Sequence, residues 1–464
     1  MKKETGVLKD ALHPKKIEKN RVIESPRTLN IRSKYDVVVC GGGPAGVGAA
    51  LAAAREGAKT LLIEKYGMLG GVWTTGLLNP FFECAGRGWL VDELVQNLTK
   101  AGAFASWRKE RYGDSVFDVE SMRRVLEQMM AADGVDLLYY TQVADAVVEN
   151  NRLRGVVIES KAGRESVMAD VVIDSTGDGD VFARAGCEYE LGRASDGMIQ
   201  PMTLMFEING LPDGWEQSSS QELYDQMIAV IEKHRLGYKL PYPRCGYAPW
   251  VINTPVSGVA DVQCTHAETD PLDPASLTRS TIDCRRQAYE TVDVFRRIPE
   301  LKNVELRHCA SQIGVREARR LRGRYRMTVE DLIAGRSFED SVTSCAFVID
   351  VHDPKAGGTE NDMGKVRIKP YEIPYRALVP ENLRGLLAAG RCISGSHEAH
   401  ASYRCTGTAM ALGQAAGMAA AWSVRDGIEL DAVDGVKLHA VLAERGAKFA
   451  DSKEIRVKHQ DGAD

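Results

Sequence analysis

The stretch Tyr35-Asp-Val-Val-Val-Cys40-Gly41-Gly-Gly43-Pro-Ala-Gly46 decides how this chain is read. Its apolar half, residues 35–40, has the length and composition of a buried parallel strand. Its second half is a G-x-G-x-x-G turn. The Ala-rich run from Pro44 onward then reads as a helix ended by Gly57. Thr60-Leu-Leu-Ile-Glu64 follows as a second strand, giving one βαβ unit at the start of an open parallel sheet. Gly41 permits the tight turn, Gly43 lets the backbone approach a pyrophosphate, and Gly46 allows close helix–strand packing. The phosphates would sit on the helix N-terminus, where N–H groups and the dipole favour anions. Glu64 ends the second strand at the spacing of a carboxylate that hydrogen-bonds a ribose hydroxyl. A Gly-rich hexamer alone would be a bare turn; strand, helix, second strand and acid together point to a dinucleotide.

Working outward, residues 119–132 read as an amphipathic helix, with Met122, Val125, Leu126 and Met129 at i, i+3, i+4 and i+7. Strand-like runs follow at 136–141, 143–149, 153–159 and 165–174, and Asn150-Asn151 is placed as a hairpin turn. From about 190 to 350 the character changes, with scattered Pro and a Ser/Gln run at 217–221, as in a separate substrate or cap domain. Residues 371–423 return to the earlier pattern, with an apolar strand at 385–390 and an Ala/Gly-rich helix.

Composition narrows the function classes. The 464 residues suffice for two domains, and 44% hydrophobic with 27% charged residues is ordinary for a globular chain. A net charge of -5 gives no reason to expect nucleic acid or an anionic membrane surface, and the Lys-rich start is interleaved with acids as a solvated terminus. No apolar run reaches the roughly 20 residues of a membrane helix, and the start lacks a signal-peptide pattern. Ten cysteines without a Cys-x-x-Cys pair fit reduced thiols in a cytoplasmic protein. The same pattern argues against iron–sulfur, zinc or dithiol sites, so no metal is expected.

Further segments carry a resemblance. Gly41-Gly-Gly-Pro-Ala-Gly46, Leu69-Gly-Gly-Val-Trp-Thr-Thr-Gly76, Asp174-Ser-Thr-Gly-Asp-Gly-Asp180 and Leu387-Ala-Ala-Gly-Arg391 occur in that order. With Gly314-Val-Arg-Glu-Ala-Arg319 and Met410-Ala-Leu-Gly-Gln-Ala-Ala-Gly417, the chain resembles the FAD-dependent oxidoreductases of the glutathione-reductase-like flavoproteins, from about residue 22 to 423. The resemblance implies an α/β fold: a Rossmann-like FAD-binding domain (parallel sheet plus β-meander) with an inserted α+β substrate or cap domain. It divides the chain into an arm (1–33), a first FAD-binding part (34–190, with 78–118 a candidate cap insertion), a substrate domain (191–350), a second FAD-binding part (351–430) and a C-terminal tail or helix (431–464). Its cofactor residues would be Gly41, Gly43, Pro44, Ala45 and Gly46 in the turn, then Glu64 and Lys65. Gly70 and Gly71 would pass the pyrophosphate and ring system, with Trp73 and Thr74 walling the isoalloxazine or, for Trp73, filling core. Val143 would offer its backbone to the adenine. Thr176, Gly177 and Asp178 would lie by the adenosine, and Gly390 and Arg391 where the chain returns to the cofactor. Gly407 and Thr408 would start a helix whose N–H groups stabilise reduced flavin. Gly413, Ala416 and Gly417 are read as close helix packing. No His falls between residues 65 and 80, so FAD is expected to be non-covalent.

Candidate catalytic groups are His397, Arg404 and Arg316, with His400 and Glu398 beside the first two. A His and an Arg near a flavin could bind a carboxylate or carbonyl, or move a proton. The structural alternatives are that His397 caps its loop, that Arg404 pairs with Glu398, and that Arg316 and Glu317 form an ion pair. His352 and Asp353 are weaker candidates. Cys392 and Cys405 lie near the expected flavin, although buried cysteine is usually a small hydrophobe. The leading function is a dehydrogenase or reductase moving a hydride between flavin N5 and a small organic substrate. A flavin-dependent monooxygenase or halogenase, and a non-catalytic flavin-binding protein, are the alternatives. An NAD-dependent hydroxy-acid dehydrogenase would leave Gly390-Arg391 and the C-terminal helix without a role. One G-x-G-x-x-G means no second nucleotide domain is visible, and NAD(P)H is a candidate transient electron donor. Substrate, electron partner and oligomeric state are not written in these residues.

Overall fold

The computed structural model describes residues 15–24, 26–106, 115–215, 219–240, 249–268, 270–352, 366–453, 455 and 457; the weak candidate Asp353 lies outside them. Five parallel strands form its centre, in the order Asp136–Leu138, Thr60–Ile63, Ile31–Cys40, Gly163–Asp174, Leu386–Ala388. The strand Gly163–Asp174 is long enough to serve twice. One edge runs parallel to Ile31–Cys40 from Ser166 to Asp174; on the other, the first half pairs antiparallel with Arg152–Ser160, which pairs in turn with Gln142–Glu149, and the end pairs parallel with Leu386–Ala388. The three make the expected meander, and Asn150 and Asn151 turn its hairpin at φ 50° and 57°. Two consecutive positive φ values suit a tight two-residue hairpin turn, and Asn tolerates them. Parallel strands need cover on both faces, which explains the uninterrupted Val37-Val38-Val39-Cys40, each 0% exposed.

The helix Pro44–Arg55 follows the first strand directly, and Val119–Ala132 matches the amphipathic reading. Asp118 caps the latter by accepting from the Ser121 amide. The first strand of the central sheet begins at Ile31, inside the segment read as an arm, which also holds an exposed antiparallel pair, Lys15–Glu18 with Arg21–Glu24. The described residues of 78–118 pack into the main domain rather than standing off as a cap. Leu90, Val91, Leu94 and Leu98 of the helix Trp89–Lys100 are buried in the main core, as are Val116 and Phe117.

A second core marks the inserted unit. Four antiparallel strands, in the order Trp250–Asn253, Ala260–Gln263, Phe206–Asn209, Glu305–Cys309, carry the helices Ser220–His234 and Pro274–Phe295. Phe206, Ile208, Met227, Val262, Val292 and Phe295 form a hydrophobic cluster apart from the main one. This cluster spans only Phe206–Val304, narrower than the 191–350 read from sequence. The later residues Leu321, Met327, Leu332, Val342 and Cys345 are apolar and join the main core instead. Among the described residues no helix is long and apolar enough to cross a membrane.

Candidate active site

The turn after the first strand contains two kinds of glycine. Gly41 has φ +100°, and a Cβ there would lie 2.6 Å from the Ser175 carbonyl oxygen. A Cβ on Gly46 would lie 1.8 Å from the Gly41 carbonyl oxygen. The chain's own backbone therefore dictates both. Gly43 is different: its φ is -72°, and a Cβ there would meet nothing within 4 Å. Nothing in the protein requires glycine at this point, but a pyrophosphate resting on the N-terminus of Pro44–Arg55 would. Gly71 converges on the same place, its Cβ position lying 2.9 Å from the Gly43 Cα. Glu64, buried behind the turn, accepts from the Gly42 amide at 2.6 Å and the Tyr66 amide at 2.9 Å. It thus holds the loop in shape at the position expected for a ribose contact.

The later segments return to this cradle. Asp174 is fully buried and accepts from the amides of Thr176, Val181 and Phe182 and from the Thr176 hydroxyl. Burial pushes its carboxyl pKa up even against those bonds. Asp178 takes the Arg391 guanidinium at 2.6 Å, just where a Cβ on Gly177 would strike that side chain. Gly390 abuts Ala45, and Gly413 and Gly417 of the long helix Thr406–Asp426 press onto the backbone of Pro44–Arg55. Their Cβ positions fall 1.9 Å from the Ala45 and 2.2 Å from the Ala49 carbonyl oxygens, which is close helix packing. The Thr406 and Thr408 hydroxyls at the start of that helix are buried without a hydrogen-bond partner. Unpaired buried polar atoms of this kind suit a polar cofactor edge.

Other expected residues have partners within the chain. The Gly407 amide donates to the Phe82 carbonyl, so it is already paired within the chain. Trp73 is fully buried and packs edge-on against Phe81 and Phe117, with ring centroids 4.9 and 6.2 Å away; it is core. Thr74 is buried and donates to the Leu69 carbonyl. Lys65 is exposed, its ammonium over the Tyr66 ring. Val143 is buried in the meander, opposite Ile158.

The catalytic candidates separate into two groups. His397 is 4% exposed and its Nδ1 lies 2.9 Å from Glu317, which also pairs with Arg320 and accepts from the Gln200 amide. Ser396, not His397, caps that helix. Glu317 therefore does not pair with Arg316, whose guanidinium donates to the Pro201 carbonyl at 2.6 Å. Arg404 does not pair with Glu398 either. It grips Asp350, donating at 2.7 Å to the carboxylate and at 2.9 Å to the carbonyl. The same carboxylate oxygen lies 3.2 Å from His352 Nε2. Burial opposes ionisation of Asp350, but His352, Arg404 and Arg316 outweigh it and hold the carboxyl well below the usual range. Burial, then Arg316 and His352, push His266 down to about 4. Arg316, Asp350, His352, Arg404 and His266 thus lie within electrostatic reach of one another, and this largely buried charged cluster, the Arg–His recess, stands just before the long helix.

A sequence profile of the FAD dependent oxidoreductase family matches residues 36–442. The chain belongs to that family. Among the relatives of this FAD-dependent oxidoreductase, a digeranylgeranylglycerophospholipid reductase from Methanoculleus marisnigri is 30% identical over 165 residues, 33% of this chain and 41% of the relative. A thiamine thiazole synthase from Aeropyrum pernix is 30% identical over 183 residues, 36% of this chain and 64% of the relative. The matches thus span less than two thirds of either relative's length. A geranylgeranyl bacteriochlorophyll reductase-like protein from Thermoplasma acidophilum aligns over 89% of this chain and 84% of its own, with 16% identity and a TM-score of 0.45.

Two members of this enzyme's recess escape a sequence reading. Asp350 offers one signal, since it stands two residues before His352 and side chains two apart lie on one side of an extended segment. His266 has none, because it comes from the inserted unit, where its neighbour Ala267 bridges to Met202. His400 is fully buried with both ring nitrogens unpartnered, and burial holds its pKa well below the ordinary value. It packs edge-on to Tyr403, and Arg320, Arg404, Arg391 and His397 lie close enough to lower it further.

Proposed function

We propose that this oxidoreductase is a dehydrogenase or reductase for a small organic substrate carrying a carboxylate or carbonyl. The observation that carries the reading is the recess itself: two guanidiniums, two imidazoles and one carboxylate next to the helix that packs on the dinucleotide cradle. FAD, bound non-covalently, supplies the hydride-exchanging N5. Gly41, Gly43, Gly46, Gly71 and Glu64 seat the dinucleotide. Arg404 and Arg316 orient the substrate's anionic or carbonyl oxygens, and Asp350 fixes the Arg404 fork in place. His352 and His397 are placed to hold or move a proton, each oriented by a carboxylate partner. NAD(P)H is the proposed electron partner where substrate alone does not reduce the flavin.

Anaerobic mixing of the yellow protein with a panel of carboxylates, carbonyl compounds and NAD(P)H, followed by turnover under isotopically labelled O2, tests this. Bleaching of the flavin without oxygen, and product lacking any oxygen atom from O2, is the expected result. Product carrying an atom of O2 would support a monooxygenase instead, and a protein that never acquires flavin would sink both. Acid precipitation should leave the flavin in the supernatant. Arg404→Gln should keep its flavin spectrum and lose about 10²–10³-fold in turnover, the usual loss of one aimed donor. Unchanged turnover would make Arg404 structural.

A further inference from the structure

The recess carries more positive than negative charge. Among the described residues, Arg316 and Arg404 share one carboxylate partner, Asp350, which already accepts from Arg404 and sits against His352. Two polar atoms there remain without a partner: Arg404 Nε and His352 Nδ1, the latter on a ring in a residue only 6% exposed. Arg316 spends one donor on the Pro201 carbonyl, and the fork has others. A buried, unpaired donor set beside an uncompensated cation calls for an anion with more than one oxygen.

We infer that this recess takes up a carboxylate together with one proton, the carboxylate resting on Arg316 and Arg404 and the proton on His352. The inference rests on the redox reading only in assigning that carboxylate to the substrate. The balance is simple: one anion and one proton leave solvent, and no covalent bond is made or broken. Burial and Arg316 lower the proton affinity of His352, Arg404 adds to them, and Asp350 acts the other way. A carboxylate neutralising both guanidiniums removes two of the three opposing influences and leaves Asp350 in place. His266 lies within the field of Arg316 and His352, and a charged His352 pushes it further toward the neutral form. One proton is therefore taken, not two. His352 then holds the proton that a substrate carbonyl oxygen needs on reduction.

Acetate and its uncharged counterpart acetamide test this on the FAD-loaded protein by calorimetry in buffers of different ionisation heat. Acetate should bind with uptake of about one proton, its Kd weakening by up to about tenfold per pH unit between about pH 6 and 8. Acetamide should bind at least about tenfold more weakly, having no charge to pair with arginine. Arg316→Gln should lose acetate binding and retain the flavin spectrum. His352→Asn should bind acetate without proton uptake and without the pH slope. The wild-type proton count decides the matter even if that variant fails to fold. Absence of acetate binding, binding without uptake, equal binding of acetamide, or uptake that persists in His352→Asn would each overturn the inference. If acetate binds with a proton but no carboxylate or carbonyl compound ever exchanges electrons with the flavin, the redox reading falls and this one stands. If a neutral compound reduces the flavin and acetate does not bind, the reverse holds.

Discussion

The dinucleotide cradle and the Arg–His recess are neighbours built on opposite plans. The cradle is a backbone object: Gly41, Gly46, Gly413 and Gly417 are fixed by carbonyl oxygens that a Cβ would strike, and Glu64 acts by holding amides. The recess is a side-chain object, assembled from residues 266, 316, 350, 352 and 404 across the inserted unit and the main domain. A backbone site tolerates no added atom, whereas a charge site tolerates shape and fails on charge. Substitutions can test that division directly.

The largest effect should come from the cradle. Gly413→Leu forces side-chain atoms into the Ala45 carbonyl and must part the two helices whose contact positions the turn. A loss of at least about 3 kcal/mol in urea unfolding, with flavin lost, is expected for overpacking that backbone alone would have to absorb. Stability within about 0.5 kcal/mol of wild type would show that the helix contact is loose. Gly43→Ala sharpens the comparison, because it lies in the same hexamer and yet meets nothing within 4 Å. The flavin-free protein should be unchanged or stabilised by up to about 1 kcal/mol, since alanine suits this φ and restricts the unfolded chain. FAD affinity should nevertheless fall by roughly ten- to a hundredfold, the loss of one close backbone approach. Equal FAD affinity would mean that the pyrophosphate does not pass over Gly43.

This division also accounts for what could be read before the fold was known. Strand, turn and helix from Ile31 to Arg55 are contiguous, and the turn is spelled by local glycines, although what Gly41 avoids is the distant Ser175 carbonyl. The meander was legible for the same reason, its hairpin being spelled by Asn150-Asn151. The limits of the inserted unit were not, because residues 310–350 are as varied in sequence as the insert while their apolar side chains choose the main core. In the recess, Arg316 and Arg404 stood out as cations near marked segments, but their partners are distant in sequence. Glu317 next to Arg316 and Glu398 near Arg404 were the obvious mates, and the fold gives Pro201 and Asp350 instead. Trp73 misleads in the other direction: it follows a cofactor glycine pair and turns into an aromatic core.

The smallest effect belongs to the recess and depends on pH. His266 has a folded pKa of about 4 against an ordinary 6.5, lowered by burial first and then by Arg316 and His352. Between those values the unfolded chain binds a proton that the native protein refuses. Stability contributed at neutral pH is therefore lost as pH falls from about 6.5 toward 4, about 2 kcal/mol of it between pH 7 and pH 5 from this residue. His352 and His400, also lowered by burial, slope the same way, so the whole protein should lose more than one residue's share. Asp350 acts in a different window: its folded carboxyl is depressed, so its contribution is present above the ordinary carboxylate pKa and fails only below it. Urea midpoints of the flavin-free protein at pH 7 and pH 5 should thus differ less in His266→Asn than in wild type. Arg316→Gln should shrink the same difference, because it relieves one of the groups that hold His266 neutral. If both variants keep the full wild-type slope, His266 does not share the recess with Arg316, and the charge site contracts to Arg404, Asp350 and His352.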